Sequence, residues 1–140
     1  MNNILVVCAG NICRSPMAEV LLRQAMPTKH IDSAGIVGLV GYPADPMATE
    51  CIAELGLSLE DHVAKFLDQS LLKKADVILA MDKEQVSIIE RKWPFTRGKV
   101  FRLGHWIDVE IADPYKKPRE AFIEARGLIE KCVTSWDEHL

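Results

Sequence analysis

Four short strand-like runs recur along this chain, each followed by a stretch of helical period, and that alternation limits the fold more than any other feature. The runs are NILVV (Asn3 to Val7), KHIDSAG (Lys29 to Gly35), DVILAM (Asp76 to Met81) and KVFRL (Lys99 to Leu103). The helical stretches carry matching punctuation. SPMAEVLLRQAM offers Ser15 as N-cap and Pro16 at the first helical position, and DPMATECIAELG repeats the device with Asp45, Pro46 and a stop at Gly56. Pro94 ends a helix that starts at Asp82, and Pro118 to Trp136 supplies the last one. Strand then helix, repeated, predicts an α/β fold, a single-domain parallel sheet of about four strands with helices on both faces. No repeat, low-complexity tract or linker divides the chain, so one domain is expected over 1–140, with Gly35 to Ala44 and Gly104 to Lys117 its least regular parts.

Composition narrows the function. The 140 residues are 49% hydrophobic and 26% charged, with a formal net charge of −3, which gives no global attraction to nucleic acid or anionic lipid. The N-terminal apolar run is too short for a signal peptide or membrane span, which predicts a cytoplasmic protein without membrane insertion. Reduced cysteines are then expected at Cys8, Cys13, Cys51 and Cys132.

In a parallel sheet, ligands bind beyond the carboxyl ends of the strands, where the strand order reverses. The stretch VVCAGNICRSP occupies the end of the first strand. Gly10 and Asn11 tolerate positive φ, so the loop from Ala9 through Ile12 to Cys13 can curl until its backbone N–H groups form a nest for an anion. The helix that follows adds its positive end, and Arg14 adds a planar fork for two oxygens. That field favours the thiolate of Cys8, and a thiolate facing phosphorus is a nucleophile. Cys8 as a plain core residue and Arg14 as a surface arginine remain the bland alternative. Zinc-ligand spacing is missing, and no Gly-Lys-Ser/Thr follows the loop, so neither a metal site nor a nucleotide loop is expected. Asp113, in IADPYKKP ahead of the last helix, is the candidate proton donor, because like charge from a bound phosphate favours its protonated form.

VCAGNICRSPMAE near the start, paired with DPY near the end, resembles the low-molecular-weight protein tyrosine phosphatases along nearly the whole chain. The resemblance implies that Cys8 is the nucleophile, that Arg14 binds the phosphoryl group, and that Asp113 acts as acid and then as base toward water. It implies that Ser15 steadies the Cys8 thiolate as leaving group and that Asn11 locks the loop, with Ser33 and His62 as polar partners. Residues 9–13, Ser15, Leu39 and Tyr115 are then the expected substrate contacts, and Leu39, Val40 and Tyr115 the cleft wall. No cofactor or metal is implied.

Eukaryotic members carry aromatics where this chain has GIVGLVGYPADP and after DPY. GLVG, ADP and RGKVFRLGHW are more similar to the bacterial branch, whose members act on tyrosine autokinases controlling capsule and exopolysaccharide export. A phosphotyrosine protein, such an autokinase, is therefore the expected partner. A thioredoxin-linked arsenate reductase uses a similar loop but needs two further cysteines after the third strand, where VILAMDKEQVSIIERKW has none. A noncatalytic phosphotyrosine-binding module would not require both Cys8 and Asp113. Cys13 has two open readings: a thiol that resolves oxidised Cys8, as the family pattern of two cysteines suggests, or packing alone.

Overall fold

The computed structural model describes residues 1–140. Strand β1 (Asn3–Cys8) pairs in parallel with β2 (His30–Gly35) on one side and β3 (Val77–Ala80) on the other, and β4 (Val100–Arg102) extends the sheet in the order β2-β1-β3-β4. The order reverses at β1, so its carboxyl end opens onto the crevice.

Alternation of side chains along the strands divides the core into two layers. Ile4, Val6 and Cys8 of β1 share one layer with Val77 and Leu79 of β3, packed under α1 (Arg14–Ala25), α2 (Pro46–Ala53) and α5 (Arg119–Asp137). Leu5 and Val7 share the other with Ile78 and Ala80, under α3 (Gln69–Lys74) and α4 (Lys83–Lys92). Cys8 falls by parity on the same side as α1, the helix that its loop leads into.

Asp45 caps α2 by accepting from the Met47 N–H at 2.8 Å, as the punctuation predicts, and Asp82, expected as the start of α4, is its cap, accepting from Gln85 N–H at 2.8 Å. The start of α1 differs. The cap position is Cys13 and no side chain caps it, so Pro16 is the third helical residue. Ser15 is absent from the capping role because its hydroxyl faces inward to the Cys8 sulfur. The second helix stops at Ala53, three residues before Gly56, and α3 lies between that helix and β3, where the sequence pattern predicts no element.

Candidate active site

Backbone placement comes first. Gly35 is the register partner of Cys8, and a Cβ there would lie 2.9 Å from Ala9 O, so only glycine lets the loop lie down on the end of β2. Asn11 takes φ of 59°, the left-handed region that asparagine tolerates. Gly10, also expected to exploit positive φ, does not; its small size is used instead, since Leu39 Cδ1 sits 2.7 Å from where a Cβ would stand.

Cys8 Sγ, at the base of the resulting bowl, contacts Ser15 Oγ at 2.9 Å and accepts from Asn11 N–H at 3.3 Å. The Asn11 amide donates to Ser15 Oγ at 2.8 Å and to Ser33 Oγ at 2.9 Å, while its Oδ1 accepts from Lys65 N–H at 3.0 Å. Toward a Cys8 thiolate, which can only accept, the Ser15 hydroxyl is the donor, while its own oxygen accepts from the Asn11 amide. His62 Nε2 lies 2.6 Å from the Asn11 carbonyl, which can only accept, so the ring proton is on Nε2. The structure thus brings Asn11, Ser15, Ser33 and His62 together behind the loop. Asn11 and Ser15 are fully buried and are not part of the cleft wall.

Two further residues, unnoticed in the sequence, belong to this support. Ser33 Oγ donates to Glu19 Oε1, and Glu19 Oε2 is paired with Arg23 at 2.6 Å. Glu19 stands one helical turn after Ser15 on the same face, a spacing that by itself marks only an ordinary helix neighbour. Asp82 Oδ2 lies 3.8 Å from Arg14 Nη1, so a helix cap also steadies the guanidinium.

Arg14 is buried. Its Nη1 donates to the Ile111 carbonyl at 2.8 Å and its Nη2 lies 3.6 Å from Asp113 Oδ2. Asp113 sits at the rim, half-exposed, with Oδ1 accepting from Tyr115 N–H at 3.1 Å. A cleft of about 190 Å³ joins these groups, walled by Cys8, Ala9, Gly10, Ile12, Cys13, Arg14, Val37, Leu39, Asp113 and Tyr115. Val40 is not in this wall: it is 64% exposed, and Val37 of the same loop takes the place expected of it. A larger groove of about 840 Å³ lies at the opposite, amino end of the sheet and holds none of these residues.

Burial pushes the Cys13 thiol well up, with the nearby charges of Asp45, Cys8 and Asp113 acting the same way and Arg14 opposing. Cys13 is therefore a neutral thiol beside the bowl.

A thiol at the floor of an anion-sized bowl, a buried guanidinium beside it and a carboxylate at the rim define a phosphate-handling α/β enzyme. The family model for low molecular weight phosphotyrosine protein phosphatase matches residues 3–140. The chain belongs to that family and is a protein-tyrosine phosphatase. It is 51% identical to the low molecular weight protein-tyrosine-phosphatase Ptp of Acinetobacter johnsonii, over 99% of this chain and 97% of that one. The 1.57 Å crystal structure of the Erwinia amylovora tyrosine phosphatase AmsI superimposes with a TM-score of 0.96 at 46% identity, covering 99% of this chain and 93% of that chain. Wzb of Vibrio vulnificus, solved in complex with benzylphosphonate, gives a TM-score of 0.96 at 40% identity, covering 99% of both chains.

Proposed function

We propose that this chain hydrolyses protein phosphotyrosine through a cysteinyl-phosphate intermediate. The single observation that carries this reading is the Cys8 sulfur at the floor of the cleft, contacted by Ser15 Oγ at 2.9 Å and by Asn11 N–H at 3.3 Å, with Arg14 and Asp113 in the same wall. Two donors aimed at sulfur stabilise its anion, and their cost is already met by the fold.

In the first step the Cys8 thiolate attacks phosphorus, an S–P bond forms, and the P–O bond to the tyrosyl oxygen breaks. Asp113, protonated, gives its proton to that oxygen. Arg14 spans two phosphoryl oxygens as charge builds on them. In the second step water attacks phosphorus, Asp113 now takes the proton, and the S–P bond breaks to return the thiolate toward the Ser15 hydroxyl. Every group in this scheme belongs to the protein, so EDTA is expected to leave turnover intact, whereas vanadate, which adopts five-coordinate geometry, is expected to inhibit.

Benzylphosphonate, held by the Vibrio vulnificus relative, joins a tetrahedral phosphorus dianion to an aromatic ring, the two parts of phosphotyrosine. The apolar walls at Val37, Leu39 and Tyr115 suit such a ring. The physiological substrate we assign is a bacterial tyrosine autokinase of polysaccharide export, in the cytoplasm. That assignment rests on the likeness of the loop after β2 and of RGKVFRLGHW to the bacterial branch. No helix is long and apolar enough to cross a membrane.

Phosphate release from p-nitrophenyl phosphate and from phosphotyrosyl peptides tests the scheme. Cys8→Ser is expected to abolish both, and an active Cys8→Ser protein would sink it. Asp113→Ala is expected to slow phosphotyrosine hydrolysis by about 10² to 10⁴, with a smaller loss for aryl phosphates whose phenols leave easily. Equal losses across leaving groups would remove Asp113 from the acid role.

A further inference from the structure

We propose that an apolar shelf beside the cleft, built from Val37 and Phe66, receives an apolar side chain of the polypeptide that carries the phosphotyrosine and so selects among substrate sequences. This deepens the phosphatase reading and rests on it.

Large apolar side chains left in water are individually ordinary; a contiguous set of them is not. Val37, Val40, Tyr42, Phe66 and Tyr115, each 43–64% exposed, lie on the loop after β2, on the segment hydrogen-bonded to it and on the segment after Asp113, whereas the exposed Val63 lines a separate pocket with Pro16, Glu19 and Lys65. Val37 and Phe66 are joined physically. Val37 is part of the cleft wall. Its neighbour Gly38 has no side chain, and a Cβ there would stand 3.4 Å from Phe66 Cδ2, so the ring lies against the loop backbone with its outer face open.

The shelf is also held rigid. Gly41 N–H donates to Ala64 O at 2.9 Å and Ala64 N–H to Tyr42 O at 2.8 Å, tying the loop to the segment that bears Phe66. Lys65 O accepts from Gly35 N–H at 2.9 Å and Leu67 N–H donates to Gly35 O at 2.8 Å, fixing the backbone on both sides of Phe66. A ring fixed in this way loses little conformational freedom when a ligand covers it.

The chemistry of the occupant follows from the charges nearby. The only lysine or arginine between residues 60 and 67 is Lys65, and its ammonium is held by both Asp32 oxygens at 2.6 Å. Glu60 and Asp61 stand just before the shelf. Beside Phe66 an aliphatic flanking residue finds apolar area to cover, and the rim lysines, Lys116 over the Tyr115 ring at 5.5 Å and its neighbour Lys117, belong to the segment that bears Tyr115. Because the shelf begins at Val37, on the cleft wall itself, the occupant is the substrate chain leaving the cleft. An extended chain advances roughly 3.3–3.6 Å per residue, so three residues on either side of the phosphotyrosine sweep roughly 10 Å of surface beside the cleft.

The test is a set of phosphotyrosyl peptides with Leu, Ala or Glu at each of the three positions on either side, assayed beside p-nitrophenyl phosphate. The wild-type protein is expected to favour Leu over Glu at one of these positions by about ten-fold in kcat/KM, in the lower part of what one apolar contact supplies. The difference should appear in KM, as expected for binding shared by ground and transition states. Phe66→Ser should bring the ratio to within about two-fold, Phe66→Leu should keep most of it, Val63→Ser, in a separate pocket, should leave it unchanged, and all three should retain wild-type turnover of p-nitrophenyl phosphate. A flat wild-type peptide series, or a preference unchanged in Phe66→Ser, overturns the shelf while leaving the phosphatase reading standing. Release of phosphate from none of the substrates overturns the phosphatase reading itself. Sedimentation adds one more outcome: a wild-type dimer that Phe66→Ser converts to monomer, with peptide preference unaltered, would make the shelf a contact between copies and overturn the proposal.

Discussion

Asn11 is the residue on which the bowl closes: its side chain makes three hydrogen bonds and its main chain two more, to Cys8 Sγ and from His62. Asn11→Ala leaves two buried serines and one main-chain N–H short of a partner, at about 1–3 kcal/mol for each group left unmet, and puts alanine in left-handed backbone, at about 1–2 kcal/mol more. A marked fall in unfolding free energy by urea titration is expected, together with a loss of kcat that exceeds any change in KM; a stable, fully active variant would contradict it. Cys13 gives a second expectation. Burial keeps it a neutral thiol, and capture of a Cys8 sulfenic acid is faster from thiolate. If Cys13 resolves oxidised Cys8, peroxide-treated protein should form the Cys8–Cys13 bond faster as pH rises and recover with dithiothreitol, while Cys13→Ser should be lost irreversibly. Equal recovery of both proteins would leave Cys13 as packing. The bowl's own residues were legible because one short segment carries them. Glu19, Asp82 and Val37 were not, because each reaches the site through tertiary packing, and an acidic helix residue, a helix cap or a loop valine has an ordinary local explanation.

Register between β1 and β2 matters as much as any side chain. Gly35 sits opposite Cys8, and the space above it is filled by Ala9 O and Gly10 C, each 2.9 Å from a Cβ at that position. Backbone atoms cannot swing aside as a side chain can, so Gly35→Ala should displace the whole loop while the sheet beneath stays paired. Misplacement of reacting groups by about 1 Å costs on the order of 10²-fold. We therefore expect kcat to fall by about that factor with little change in melting temperature, checked by calorimetry beside the activity assay; a proportionate loss of stability would count against it. Strands and long helices were legible because apolar period and Pro or Asp caps agree. The start of α1 was misread for a physical reason: a serine before a proline favours a cap, yet here its hydroxyl is taken by sulfur. Helix α3, only six residues with Leu72 its one buried side chain, is too short to show a period.

For the molecule as a whole, stability should be set at its acid and alkaline limits by different groups. Asp76 Oδ2 accepts from Asn2 and Asn3 N–H, each at 2.9 Å, clipping the start of β1 to the start of β3. The Asn3 bond first and the Asn2 bond second hold this carboxyl below its ordinary value. The Arg126 hydrogen bond chiefly does the same for Glu54, between α2 and α5, and the Arg102 hydrogen bond chiefly does so for Asp108. The unfolded chain lacks these donors, so it binds protons first as pH drops. The contribution of each carboxylate is complete above its unfolded pKa, near 4, and is lost as pH falls through the lower folded value. Cys132 has the opposite sign. Burial raises its thiol from 9.0 to about 11, so between those values the unfolded state gives up a proton that the folded state keeps, and stability declines as pH rises. Melting temperature should therefore be level between about pH 5 and 8 and fall on both sides. Asp76→Asn should melt lower than wild type at pH 7 and approach it in acid, because the wild-type clip is itself being protonated there. Cys132→Ala should also melt lower at neutral pH, through the cavity it leaves, but its alkaline limb should be shallower than that of wild type. Parallel wild-type and Asp76→Asn curves down to the foot of the acid limb would show that the clip at the start of the sheet does not set the acid limit.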